Sequence, residues 1–154
     1  MTIINYDQRL FKSKNPNPRG PNDWKRFFSF NTDAKVIGIQ YIVTALFFLL
    51  LGGLLGMLVR GELITPPSDL FDPTVYNGLY TMHGTVMLFL FLFPMLSGLT
   101  NLLVPPMIGA PDMAFPKLNA LAFWLVPVFS IILLISFFVP GGPASSGWWS
   151  YPPI

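Results

Sequence analysis

Cysteine is absent from this chain of 154 residues, histidine occurs once, and charged residues make up only 10% of the whole. Without cysteine there is no disulfide framework and no thiolate metal site. With a single imidazole, His83, a site built from several histidines is excluded within this chain. A soluble domain usually carries about 25% charged residues, so a tenth points to a chain solvated by lipid. The net charge of +2 gives no case for nucleic-acid binding.

What fills the sequence instead is apolar: 53% of residues are hydrophobic and 16% aromatic. The runs Val36 to Val59, Gly78 to Val104 and Leu118 to Val139 each exceed the roughly 20 helical residues that cross a bilayer core. No period-2 alternation supports a barrel, and backbone in lipid must satisfy its hydrogen bonds within a helix. The fold class expected is an all-α membrane protein with three transmembrane helices, part of a larger helical bundle. Seven of the nine Lys and Arg residues precede the first run, namely Arg9, Lys12, Lys14, Arg19, Lys25, Arg26 and Lys35, which places the N-terminus in the cytoplasm. The first run is too long and too far from Met1 for a cleavable signal.

The chain divides into a cytoplasmic arm, residues 1–35, and a three-helix transmembrane portion, residues 36–154. The Pro- and Asn-rich "KNPNPRGPND" predicts an extended arm, and "WKRFFSF" reads either as an interfacial foot of aromatics and cations or as a contact with a neighbouring subunit. Gly52 and Gly56 in "GGLLG" form a small-xxx-small pair that permits close approach of another helix or of a flat ligand. Pro94 and Pro127 fall inside helices and are expected to kink them.

His83 stands about five residues into the second run, in the outer third of the bilayer. A lone intramembrane histidine can simply hydrogen-bond a neighbouring helix. It can also ligate haem iron, and Gly84 beside it, with Tyr80, Met87 and Leu90 around it, suits an apolar slot for a planar group. Arg60, at the outer end of the first run, reads either as a snorkelling arginine or as a fixed positive charge bonded to a cofactor substituent. Asp112 is the one acid facing the cytoplasm after the first helix, in "IGAPDMAFPKLN". Alone it is a turn residue or a helix cap. Flanked by Asn101 and Asn119, whose amides both donate and accept, it could order water into a proton path. His83 and Asn101 are 18 residues apart, five turns, and would share a face on an unkinked helix.

"NTDAKVIGIQY", "VRGEL", "YNGLYTMHGTVMLFLFLFP", "NLLVPPMIGAPDMAFPKLNALAFW" and "GWWSYPPI", in that order, resemble the N-terminal part of subunit I of haem–copper oxygen reductases of the cytochrome c oxidase type. The wording is nearest to bacterial, including cyanobacterial, forms. The resemblance implies that His83 is an axial ligand to a low-spin haem a and that Arg60 bonds the haem formyl group. It implies that Trp148 lies near the propionates, that Asp112 opens a proton channel beside Asn101 and Asn119, and that Glu62 belongs to a cation site of some members. Two positions depart: Ala34 stands where members commonly have His, and Pro67 where that cation site has Gly.

Subunit I of that family has about twelve helices, so this chain is expected to be its N-terminal three-helix portion, a fragment or a separately encoded piece. The second ligand of the low-spin haem, the high-spin haem and the copper centre would belong to the remaining helices. The implied partners are those helices, oxidase subunits II and III, membrane lipid, and cytochrome c or a quinol as donor. The implied location is a bacterial cytoplasmic (inner) or thylakoid membrane. The implied reaction is reduction of oxygen to water with proton translocation. A second reading is a three-helix assembly or structural subunit without catalysis.

Overall fold

The computed structural model describes residues 23–64 and 70–150. The predicted arm before residue 23, Pro67 and the last four residues lie outside them. All regular structure among the described residues is helical, and three helices are long and apolar enough to cross a membrane: Ala34–Glu62, Pro73–Met107 and Pro116–Phe138. Each outruns its apolar run at the N-terminal end because local chemistry starts it earlier. Asp33 caps the first, its side chain accepting from the Lys35 N–H at 2.9 Å. Pro73 and Pro116 open the other two, where a missing N–H costs nothing.

We number the α-helical segments α1 (Ala34–Glu62), α2 (Pro73–Thr85), α3 (Phe93–Met107) and α4 (Pro116–Ile135). Between α2 and α3 the second span passes through a π-helical stretch, Val86–Leu92. It ends at Leu92, two residues before Pro94, which has no N–H to donate one turn back, and the Phe93 N–H reaches five residues back to the Leu88 carbonyl. The expected interruption at Pro94 is thus met by a wider turn just before it. The five-turn count between His83 and Asn101 fails for the same reason, since a π-helical turn holds more residues than an α-helical one. At its far end α3 runs through Pro105 and Pro106, past the expected end at Val104, and Gly109 closes it at φ +72°. There the Gly109 N–H donates to the Pro106 carbonyl and the Ala110 N–H to that of Pro105.

α1 is the common partner: it packs along the whole second span and more lightly on α4. The backbones of α1 and α3 approach closely at Gly38 and Gly98. A Cβ on Gly98 would lie 2.9 Å from the Gly38 carbonyl oxygen, and a Cβ on Gly38 3.0 Å from that of Gly98. Only glycine at both positions lets the two backbones meet so closely, the small-residue packing that lipid-embedded helices use in place of a hydrophobic drive. One core cluster joins Ile37 and Tyr41 to Ala120 and Phe123 of α4, and a second joins Phe48 to Val86 and Leu90 of the π stretch. Outside these, large apolar side chains such as Leu50, Leu54, Leu125 and Ile132 are exposed, as expected of surfaces that face lipid or further helices.

Before α1, Asp23–Phe28 forms a short 3-10 helix, so the "WKRFFSF" foot is folded. The buried Gln40 fastens it, its amide donating to the Phe27 carbonyl at 2.9 Å. Trp24, Phe28 and Phe30 stay exposed.

Candidate functional site

His83 projects from α2 toward α1. Its Nδ1 lies 2.8 Å from the Gly52 carbonyl oxygen. A carbonyl can only accept, so Nδ1 carries the proton and donates, which leaves a lone pair on Nε2. The ring reaches that carbonyl because Gly56, one turn further along α1, has no side chain. A Cβ there would stand 2.9 Å from His83 Cε1 and 3.2 Å from Nδ1. Gly52 makes the same allowance for the second span, since a Cβ on it would lie 2.7 Å from Met87 Sδ. The small pair in "GGLLG" therefore serves a helix–helix approach with an imidazole set into it. Of the expected lining, Leu90 is buried in the second core cluster and Tyr80 is half exposed.

Gly84 does not border open space. A Cβ on it would sit in ordinary contact with Trp148, 3.6 Å from Cδ1. Trp148 arrives there because the segment after the third span folds back along α2. Pro143 fills the notch at Gly78, the Gly147 N–H donates to Thr81 Oγ1 at 2.9 Å, and Trp148 reaches Gly84 and the Phe89 ring. Positions 78, 81 and 84 follow at one-turn intervals and form the track for this strap. Sequence reasoning missed Thr81, whose hydroxyl also donates to the Asn77 carbonyl and so orients its lone pairs toward the strap.

Arg60 lies one turn beyond Gly56 on α1, about 6 Å along the axis, and is exposed. Glu62, two residues on, is buried, and its carboxylate accepts from the Phe71 N–H at 3.2 Å. It ties the loop after α1 to the end of that helix.

At the other end of the molecule the two asparagines meet. Asn119 Nδ2 donates to Asn101 Oδ1, and Asn101 Nδ2 donates to the Ser97 carbonyl at 2.8 Å. α3 and α4 are thus joined by an amide pair whose Asn101 half is buried. Asp112 turns to the start of α1 instead, Oδ1 accepting from the Ala34 N–H at 3.1 Å and the Met113 N–H at 2.8 Å. Carboxylate against the first turn of a helix is favoured by the unpaired N–H groups and the dipole there. Asp33 and Asp112 together serve the N-terminus of α1, a partnership that 78 intervening residues conceal in the sequence. Among the described residues no three His, Cys, Asp or Glu side chains gather as a metal site would need.

Three long apolar spans, an imidazole bonded to a backbone carbonyl near one end and a polar amide pair near the other define a multi-pass helical membrane protein. The chain belongs to the Cytochrome C and Quinol oxidase polypeptide I family, whose model matches residues 36–154. It is 54% identical over 140 residues to "Cytochrome c oxidase subunit 1" of Thermostichus vulcanus, covering 89% of this chain and 25% of that protein. It is 50% identical over 131 residues to the protein of the same name from Synechocystis sp., covering 85% and 23%. A third relative, from Corynebacterium efficiens, is 46% identical over 123 residues, covering 80% and 21%. The chain spans about a quarter of the length of these curated relatives.

Proposed function

We propose that this chain works as the first three helices of an oxidase subunit I, within a respiratory complex that reduces oxygen to water and moves protons across a bacterial inner or thylakoid membrane. Residues 36–154 are the transmembrane portion and residues 1–35 a cytoplasmic arm. Cytochrome c or a quinol is the donor, and subunits II and III with the remaining helices of subunit I are the partners.

The observation that carries this reading is the 2.8 Å contact between His83 Nδ1 and the Gly52 carbonyl. It leaves Nε2 as the basic nitrogen and sets the ring plane, the preparation that a metal-ligating histidine receives from its outer hydrogen bond. A low-spin haem a, when bound, would supply one-electron redox chemistry. His83 holds one face of it, and Trp148, packed on Gly84 in the next residue position, closes one side of the approach to His83. Arg60, an exposed cation one turn beyond Gly56, is placed to pair with a polar substituent and to disfavour the more positive oxidation state. The high-spin haem and copper take their ligands from the remaining helices, since one histidine cannot supply them.

The joined amides of Asn101 and Asn119 and the carboxylate of Asp112 form the opposite, proton-collecting end. The amide pair offers donors and acceptors between two spans, where water can be ordered. For Asp112 a helix-capping reading has direct support in its two backbone bonds, and the two roles coexist if the outer oxygen, Oδ2, handles the proton. Substitution of His83 by Ala in the assembled complex tests the proposal: the low-spin haem spectrum is expected to disappear while the helical content stays. A retained spectrum would overturn the ligand assignment.

A further inference from the structure

A cleft of about 370 Å³ opens beside the start of α4, lined by Thr32, Ala114, Phe115, Pro116, Lys117 and Leu118. That volume falls within the range of about 300 to 1,000 Å³ typical of small-ligand sites. Its walls are mixed in a particular way. Phe115 and Leu118 are large, apolar and strongly exposed, 70% and 62%, although they stand where the third span begins. Lys117, between them, carries an exposed ammonium, and Thr32 supplies a hydroxyl from the segment that leads into α1.

The same end of the molecule holds Lys35 in the first turn of α1 and Lys25 and Arg26 in the 3-10 foot. Two carboxylates there, Asp33 and Asp112, direct an oxygen to backbone N–H groups at the start of α1. The exposed rings of Trp24, Phe28 and Phe30 complete a belt of aromatics and cations at the depth where a span leaves the hydrocarbon.

We propose that this cleft binds an anionic phospholipid of the leaflet it faces. The lipid phosphate rests against Lys117 and the Thr32 hydroxyl, and the first part of an acyl chain lies over Phe115 and Leu118. An apolar wall continuous with a membrane span calls for a chain, and a single ammonium at its rim calls for an anion. A free phosphate would satisfy only the second. The proposal stands apart from the haem and proton-path assignments, because no residue lining the cleft takes part in either.

The test uses the assembled complex that contains this chain, with a photoreactive benzoylphenylalanine in place of Phe115. It is delipidated and offered equimolar phosphatidylglycerol and phosphatidylcholine. Photocrosslinked species are identified by mass spectrometry in the otherwise native complex and with Lys117→Ala, Lys117→Arg or Ala114→Trp. Phosphatidylglycerol is expected to dominate the crosslinks and to fall about fivefold with Lys117→Ala, the worth of one cation at an anionic surface. Lys117→Arg should keep it, Ala114→Trp should remove it by filling the cleft, and excess inorganic phosphate should leave it unchanged. Equal capture of the two lipids, indifference to Lys117→Ala, displacement by inorganic phosphate, or crosslinking to a neighbouring protein would each overturn the proposal.

Discussion

Replacing Gly56 by alanine probes the seat of His83 with a single methyl group. The added Cβ would lie 2.9 Å from Cε1 and 3.2 Å from Nδ1 of the ring, closer than side chains tolerate. The ring cannot retreat freely, because Nδ1 is anchored 2.8 Å from the Gly52 carbonyl. Either the two spans separate or the hydrogen bond breaks. Overpacking of this kind costs about 1 to 3 kcal/mol, and loss of the hydrogen bond about 0.5 to 1.5 kcal/mol. The natural control is three residues away: Gly53 lies in the same helix, and a Cβ there meets nothing within 4 Å. Gly53→Ala should therefore be neutral, or stabilising by about 0.5 to 1 kcal/mol through helix propensity. The assay pairs the thermal midpoint of the complex in detergent with the position of its low-spin haem band. Gly56→Ala is expected to lower the first and shift the second, and Gly53→Ala to do neither. Equal behaviour of the two variants would refute the steric seat and, with it, the claim that α1 orients His83.

Other perturbations separate roles that geometry joins. Asp112→Asn keeps an Oδ1 acceptor for the Ala34 and Met113 N–H groups, so stability should hold while proton uptake, followed by a pH-indicator dye, slows; Asp112→Ala should in addition cost about 1 kcal/mol of stability as the cap is lost. Unchanged uptake in Asp112→Asn would leave Asp112 as a cap alone. Asn119→Leu strands the buried Asn101 oxygen and should destabilise by about 1 to 3 kcal/mol in denaturant titration, whereas Asn101→Leu with Asn119→Leu should cost less than the sum of the single changes. Additive losses would show that the amide pair is not coupled.

The spans were legible in the sequence because lipid imposes a length and a composition that few other environments demand. Their number and approximate limits follow from three apolar runs; the earlier helical starts, capped by Asp33 and opened by Pro73 and Pro116, lie in the polar flanks that an apolar run does not mark. The π-helical stretch was not legible. Val86–Leu92 is as apolar as its flanks, and Pro94 announces a disturbance without saying how the backbone absorbs it. Contacts between distant residues were hidden for a related reason. Gly38 and Gly98 are isolated glycines in separate helices, and nothing in either neighbourhood marks them as opposing partners. Asn101 and Asn119 could be placed at the same end of their spans from topology, but only the folded arrangement, with α3 and α4 both packed on α1, brings their amides into one hydrogen bond. His83 was visible as an anomaly in an apolar run; the Gly52 carbonyl that fixes its tautomer was not, because a backbone acceptor inside a helix has no sequence signature.

The proposed ligation of a haem by His83 can be read by changing the ligand type. His83→Met would offer a thioether sulfur in place of Nε2, and a methionine ligand in place of histidine raises the reduction potential of a haem. A spectroelectrochemical titration of the low-spin haem in the complex should therefore show a higher midpoint potential and an altered absorption band in His83→Met. A midpoint and band identical to those of the unaltered complex would contradict ligation by His83.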